Sequence, residues 1–163
     1  MSISAKKKLK IAAIALLTCI MGAIIFSGLN TAIAETQYEI TGRGARNVSG
    51  EMSVGGVTLY YYFKTVNNWD WGALKDTIDC KLDVEGNSIP CSYYLTFRYY
   101  DSNGKLIADS DGSQSYTCSG TGNNNYWTVW AFSKKVTRVT IKGNVSLNSY
   151  NVTVDLDLNF YDN

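Results

Sequence analysis

The chain has 163 residues, with 15 Lys and Arg against 14 Asp and Glu, and it contains no histidine. The lack of histidine excludes Ser-His-Asp and Cys-His catalysis, histidine-ligated metals and an imidazole pH switch. Beyond the first ten residues the only adjacent basic pair is Lys134-Lys135, so the basic stripe typical of nucleic-acid-binding proteins is missing and no nucleic-acid partner is expected.

The first 34 residues are typical of a secretory signal peptide. A lysine-rich leader of bacterial type precedes an apolar run over 11–29, and Ala32 and Ala34 supply small residues before a cleavage site that we place after Ala34. The apolar run approaches the roughly 20 residues that a membrane span needs, so an uncleaved anchor is the alternative. Either way, we expect one domain over 35–163, secreted or exposed at the cell surface.

After the leader, the sequence alternates apolar and polar residues with a period of two, which indicates β-strands with one buried face. The first strands are predicted over 37–42 and 48–54, and the next begins at Val57. On this third strand, the apolar face is predicted to hold Val57, Leu59, Tyr61 and Phe63, and the outer face Thr58, Tyr60, Tyr62 and Lys64. The only helix candidate, 71–77, is too short to be stable on periodicity alone.

The segments 77–84 and 92–101 are predicted to form a hairpin, because the turn signal Glu85-Gly86-Asn87 lies between them. Such a hairpin would bring Cys80 and Cys91 together, and a disulfide there would stabilise an extracellular domain by roughly 2–3 kcal/mol. Pairing of Cys91 with Cys118 is the alternative. We expect the remaining thiol to be buried rather than paired between chains.

On the predicted strand 92–101, the outer face holds Tyr94, Thr96, Arg98 and Tyr100, and a turn follows at Ser102-Asn103-Gly104. Four more strands are predicted, over 113–119, 125–132, 136–147 and 151–161. The segment 125–132 is apolar on both faces, which predicts a covered central strand, and Gly143-Asn144 predicts a bulge or kink.

Eight or nine short strands predict an all-β fold, a single antiparallel β-sandwich of immunoglobulin-like or jelly-roll type, with a small closed barrel as the alternative. Alternation then places aromatic side chains on outer faces or in a loop, and these are the candidate binding residues: Tyr60, Tyr62, Trp69, Trp71, Tyr94 and Tyr100. Tyrosine and tryptophan suit recognition because they are large, rigid and amphipathic. The structural alternative is that they only form stabilising cross-strand pairs.

These features predict a non-enzymatic protein that binds a glycan or a protein through exposed aromatics. One alternative is a membrane-active toxin that inserts Trp69 and Trp71; another is a small hydrolase that uses the acids Asp70, Asp76 and Asp79. No cofactor or metal is expected, because phosphate-binding and dinucleotide motifs are lacking and Asp109 with Asp111 is too small a fragment of a calcium loop, so a solvated turn is favoured there.

Overall fold

The computed structural model describes residues 37–68, 76–87, 89–133 and 135–161. The predicted signal peptide, the apolar run 11–29 and most of the helix candidate 71–77 lie outside these ranges. Within them the chain is all-β, as predicted, and no helix is long and apolar enough to cross a membrane. The strands are β1 (Tyr38–Ala45), β2 (Asn47–Val54), β3 (Val57–Val66), β4 (Thr77–Val84), β5 (Cys91–Tyr100), β6 (Tyr116–Gly122), β7 (Asn124–Trp130), β8 (Arg138–Leu147) and β9 (Tyr150–Asn159).

The nine strands form two sheets. The five-stranded sheet has the order β1-β9-β8-β5-β6, and the four-stranded sheet has the order β2-β3-β4-β7. All neighbouring strands are antiparallel except β1 and β9, which pair in parallel. Single residues, Arg46 and Asn123, connect β1 to β2 and β6 to β7. The chain therefore passes from an edge of one sheet to an edge of the other on both sides of the molecule.

The predicted sidedness of the strands is confirmed. Phe63, Phe97 and Leu156 have no exposed surface, whereas Lys64 and Arg98 on the same strands face solvent. One hydrophobic core contains the inward side chains of both sheets, so the arrangement is β-sandwich-like. This confirms that a period of two was the right pattern from which to assign inner and outer faces.

The predicted hairpin of 77–84 with 92–101 is wrong. β4 pairs with β3 and β7, and β5 pairs with β6 and β8, so the two strands belong to different sheets. The connecting residues form a 3-10 turn at Glu85–Asn87, with Gly86 at φ 76°, instead of the two-residue turn of a tight hairpin. The apolar face of each strand is thereby buried in the core between the sheets.

The predicted Cys80–Cys91 disulfide and its alternative are also not found, because the thiols of Cys80, Cys91 and Cys118 are all free. Without the hairpin, nothing aligns Cys80 with Cys91 across neighbouring strands. Instead, Cys80 lies opposite Phe63 and Trp127, whereas Cys91 lies opposite residues of β6 and β8. Both side chains are buried, and Cys118 is half-buried.

Two other local expectations are wrong. β7 is an edge strand of the four-stranded sheet and not a covered central one, since only its inner face is buried and the outer Tyr126 and Trp130 are 64% and 53% exposed. A strand tolerates large aromatics on a solvent-exposed face, so apolar residues on both faces of a strand do not require a second layer packed over it.

At Gly143 the pairing of β8 with β5 continues without a shift, so no bulge is present.

A tyrosine covers a glycine near one edge of each sheet. A Cβ atom on Gly50 of β2 would lie 2.6 Å from the Tyr61 hydroxyl, and one on Gly120 of β6 would lie 2.5 Å from the Tyr93 hydroxyl. The Tyr93 ring also stacks on Trp127 of the other sheet, with ring centroids 4.3 Å apart and planes within 7°. These rings fill the space that the edge glycines leave, which secures β2 and β6 to their neighbours.

The buried thiol of Cys80 makes the free energy of unfolding depend on pH in the alkaline range. Burial raises its pKa well above the usual value, and Cys118 and Asp79 raise the pKa further. In the unfolded chain the thiol ionises near pH 8.5, whereas the folded chain keeps the proton, so the free energy of unfolding falls as pH rises above that value, by up to about 1.4 kcal/mol per pH unit for each such thiol.

We therefore expect Cys80→Ala to reduce the loss of stability between pH 8 and 9.5, even though removing the side chain lowers stability at pH 7. Urea unfolding in the presence of reductant measures both quantities. Cys91→Ala is the matched control, and it should have a smaller effect on the pH slope because the pKa of Cys91 is raised less and the Asn125 side chain partly opposes that rise. An unchanged slope in Cys80→Ala would contradict the assignment.

Candidate functional site

The predicted outer tyrosines lie on two different sheets. Tyr60 and Tyr62 are on the outer face of β3, and Tyr94 and Tyr100 are on the outer face of β5. Tyr94 is 60% exposed and Tyr60 is 37% exposed, whereas Tyr62 and Tyr100 are half-buried. The four side chains therefore do not form one continuous surface. Trp69 and Trp71 lie outside the described residues.

Tyr94 stands between two cavities on the outer face of the five-stranded sheet. The first cavity, of about 320 Å³, is lined by Tyr94 and Asn144 together with Thr96, Arg98, Thr140, Lys142 and Gly143. The second cavity, of about 360 Å³, is lined by Tyr94 and Asn144 together with Ser92, Tyr93, Ser146 and Asn151. We call the two together the Tyr94 cleft. Since Tyr94 and Asn144 face each other across β5 and β8, this pair separates the two cavities.

Gly143 lets the strands approach each other beside Tyr94. It lies opposite Leu95 in the ladder between β5 and β8, with φ at 157°. A Cβ atom there would overlap the carbonyl oxygen of Tyr94 and lie 3.0 Å from the Leu95 Cα atom. Only glycine fits this close backbone contact, so the glycine that suggested a bulge from sequence fixes the position of Tyr94 instead.

Hydroxyl and amide groups surround the cleft. Ser146 hydrogen-bonds Asn151 at 2.7 Å, and Ser92 hydrogen-bonds Thr121 at 3.1 Å. Next to the first cavity, the hydroxyls of Thr96 and Thr117 are 3.3 Å apart. Each of these groups keeps donor or acceptor capacity beyond this one bond, so the cleft combines an aromatic wall with polar groups that can bind further hydroxyls.

The charged side chains of this face form a partly paired network. Asp155 binds Arg43 at 2.9 Å and Lys142 at 3.3 Å, and Asp157 binds Arg138 at 3.1 Å. Arg98 differs, because it is exposed and makes no ion pair or hydrogen bond with any residue in the described ranges. The first cavity therefore contains Lys142, which shares the Asp155 carboxylate with Arg43, and Arg98, which has no ion-pair partner among the described residues.

Tyr100 has a structural contact of its own. The guanidinium carbon of Arg138 lies 4.4 Å from the centre of its ring, which is within the range of a cation–π interaction. Tyr100 lines neither cavity of the Tyr94 cleft. One face of its ring contacts the Arg138 guanidinium. Of the two outer tyrosines predicted on β5, only Tyr94 lines the cleft.

The outer face of the four-stranded sheet carries a second group of aromatic side chains. Lys81 lies directly between Tyr62 and Tyr126 in the register of β3, β4 and β7. Tyr126 and Trp130 were missed by sequence reasoning as candidate residues, although both alternate with inward residues on a strand whose outer face also holds Thr128. That threonine was the available signal that this side of β7 faces water.

Tyr60, on the same outer face, is surrounded by acidic side chains. Its cross-strand neighbours are Glu51 and Asp83. The pKa of Tyr60 is raised chiefly by the charge of Glu85, and burial, Glu51 and Asp83 add to it. This face is therefore negative around Tyr60, unlike the Tyr94 cleft with its two cations.

The two predicted acids that the structure describes, Asp76 and Asp79, do not meet in one cleft. The Asp76 carboxylate is buried, and it accepts hydrogen bonds from the Asn68 backbone N–H at 2.9 Å and the Tyr161 hydroxyl at 3.0 Å. Asp79 is on the outer face of β4, where it accepts a bond from Thr128 at 3.0 Å. Asp70 lies outside the described residues.

The Asp109 segment forms a turn, as expected. The Asp109 side chain accepts hydrogen bonds from the backbone N–H groups of Asp111 and Ser113 at 2.9 Å and 2.8 Å. Among the residues that the structure describes, no group of acidic and cysteine side chains has the arrangement of a metal site.

Comparison with known proteins does not identify a relative, since no family model, no curated protein and no solved structure matches the chain.

Proposed function

We propose that this protein is a secreted or cell-surface binding protein of immunoglobulin-like fold that recognises a glycan at the Tyr94 cleft, without catalysis. The observation that carries the proposal is the exposed Tyr94 ring between two adjoining cavities lined by hydroxyl and amide groups. Support for secretion comes from the amino-acid sequence of the first 34 residues alone.

The strand order supports the immunoglobulin-like type. In such domains one sheet has the order G-F-C-C′ and the other contains A-B-E, joined by Greek-key connections. Here β9-β8-β5-β6 follows the first order and β3-β4-β7 follows the second. In this interpretation β2 extends one sheet beyond strand A, and β1 extends the other beyond strand G. A jelly-roll is the alternative.

The chemistry of the cleft suits a sugar chain. A sugar ring has an apolar face that can stack on an aromatic ring and an edge of hydroxyls that need hydrogen-bond partners. Tyr94 offers the ring, and Asn144 with the nearby serines and threonines offers the partners. Both cavities are at the lower end of the size range of small-molecule sites, about 300–1,000 Å³. Two cavities that share one tyrosine suit two consecutive units of an oligosaccharide.

We expect Tyr94→Ala to weaken glycan binding by about tenfold or more, because a central aromatic hot spot contributes about 2 kcal/mol or more and about 1.4 kcal/mol corresponds to tenfold. A glycan array identifies a ligand, and titration calorimetry then compares the variants. Tyr126→Ala is the matched control, since Tyr126 is 64% exposed but lies on the other sheet. Equal binding by the wild type and Tyr94→Ala would contradict the proposal.

A protein partner at the four-stranded sheet is the second candidate function. The observation that favours it is the set of aromatic side chains on this outer face, with Tyr62 and Tyr126 on either side of Lys81, Tyr60 opposite Asp83 and Trp130 opposite Thr77, because exposed tyrosine and tryptophan are enriched in protein interfaces. In that case Tyr126→Ala would weaken binding and Tyr94→Ala would not. Membrane insertion through Trp69 and Trp71 stays an alternative that depends on residues outside the described ranges.

A further inference from the structure

The two cavities of the Tyr94 cleft differ in charge. The first is lined by Arg98 and Lys142 and by no acidic residue, whereas the second is lined only by uncharged side chains. A ligand that occupies both cavities therefore meets a positive environment on one side of Tyr94 and a neutral environment on the other.

The neighbouring carboxylates are already paired with other cations. Asp155 accepts ion pairs from both Arg43 and Lys142, and Asp157 is bound by Arg138. Glu39 is on β1, separated from β8 by β9. No carboxylate among the described residues is within ion-pair distance of Arg98. The positive charge of Arg98 is thus available to a ligand.

An arginine at position 98 also favours a particular kind of ligand group. A guanidinium is planar and always charged, and its fork of N–H donors matches the paired oxygens of a carboxylate or a sulfate. Lys142 adds a second cation that exchanges partners without leaving Asp155 unpaired, because Arg43 remains on the same carboxylate. The threonine hydroxyls of the cavity supply further donors.

We infer that the ligand is an acidic glycan, with the carboxylate or sulfate of one sugar unit in the first cavity against Arg98 and Lys142, and with an uncharged unit in the second. The inference rests on the proposed glycan-binding function and adds the chemical class of the ligand. Such a ligand carries a charged sugar unit next to a neutral one, which matches the positive first cavity and the neutral second cavity.

The test uses three hexasaccharide probes and the full chain. One probe alternates a uronic acid with N-acetylhexosamine, the second alternates a sulfated with an unsulfated N-acetylhexosamine and carries no carboxylate, and the third contains only neutral N-acetylhexosamine. We expect at least one acidic probe to bind about tenfold more tightly than the neutral probe in 25 mM salt, and we expect most of that difference to be lost in 250 mM salt because screening weakens exposed ion pairs. The stronger of the two acidic probes identifies the anionic group as carboxylate or sulfate.

The variants assign the effect to the first cavity. Arg98→Gln should remove most of the preference for acidic probes, so that acidic and neutral probes bind with similar affinity, and Arg98→Lys should keep only part of the preference because it loses the two-pronged contact. Lys64→Gln removes an exposed cation from the other sheet and should change nothing. Since Arg98 is exposed and unpaired, these substitutions should leave the urea midpoint unchanged.

Equal affinity for neutral and acidic probes, lost in Tyr94→Ala but not in Arg98→Gln, would overturn this inference and leave the proposed function in place. A preference for acidic probes that persists in Arg98→Gln would also overturn it. Failure to bind all three probes and every glycan of an array would overturn the proposed function as well.

Discussion

Replacing Gly143 with alanine is expected to destabilise the fold by roughly 2–4 kcal/mol, since overpacking and an unfavourable backbone conformation each cost about 1–3 kcal/mol. The new methyl group would overlap the carbonyl oxygen of Tyr94. That oxygen belongs to the backbone of β5 in the interior of the five-stranded sheet, so it cannot rotate away as a side chain does. Urea unfolding measures the loss, and amide hydrogen exchange should show that protection falls first in β5 and β8.

Gly104→Ala is the control for this substitution. Gly104 also has a positive φ, 74°, but a Cβ atom there would meet no other atom within 4 Å. We expect a loss of about 1 kcal/mol from backbone strain alone. If both variants lose the same stability, the close approach of β5 to β8 is not the constraint that Gly143 satisfies.

Replacing Asp76 with alanine is expected to lower the free energy of unfolding by about 3 kcal/mol. Asp76 is only 4% exposed, and its two carboxylate oxygens accept bonds from different parts of the chain, the Asn68 backbone before β4 and the Tyr161 hydroxyl after β9. Hydrogen bonds to a charged group contribute about 1.5–3 kcal/mol, and their loss takes this acceptor away from two half-buried donors. Thermal and urea unfolding both measure this loss.

Asp79→Ala is the matched control, because the Asp79 carboxylate is on a solvent-exposed face with one hydrogen bond to Thr128. We expect it to cost less than 1 kcal/mol. In a double-mutant cycle, Tyr161→Phe should lose most of its own effect when Asp76 is already alanine. Equal losses for Asp76→Ala and Asp79→Ala would show that the buried carboxylate does not hold these segments together.

The strands and their inner faces could be predicted from sequence because both are local properties. The alternation in 151–161 or 57–64 reports which side chains avoid water, without reference to any other strand. Strand partners are not local. β4 and β5 are adjacent in sequence and separated by a turn signal, yet they belong to different sheets, and nothing in the pattern of either strand distinguishes a hairpin from a crossing between sheets.

The same limit applies to the candidate site. Sequence placed Tyr60, Tyr62, Tyr94 and Tyr100 on outer faces, which is where they lie, but it did not show which sheet each one belongs to. The cavities beside Tyr94 depend on the register of β5 with β8. The pairing of Tyr100 with Arg138 depends on the same register, which arises from packing and not from composition.

The parallel pairing of β1 with β9 determines how the domain would respond to mechanical load. The two strands run in the same direction, from Tyr38 beside Val152 to Ala45 beside Leu158, so residues 37 and 161 lie at opposite ends of the sheet. A force that pulls these ends apart acts along the strands and strains the whole β1–β9 ladder in shear, whereas an antiparallel pair pulled from one end opens bond by bond. A domain loaded between these two ends would therefore resist extension through the whole β1–β9 ladder.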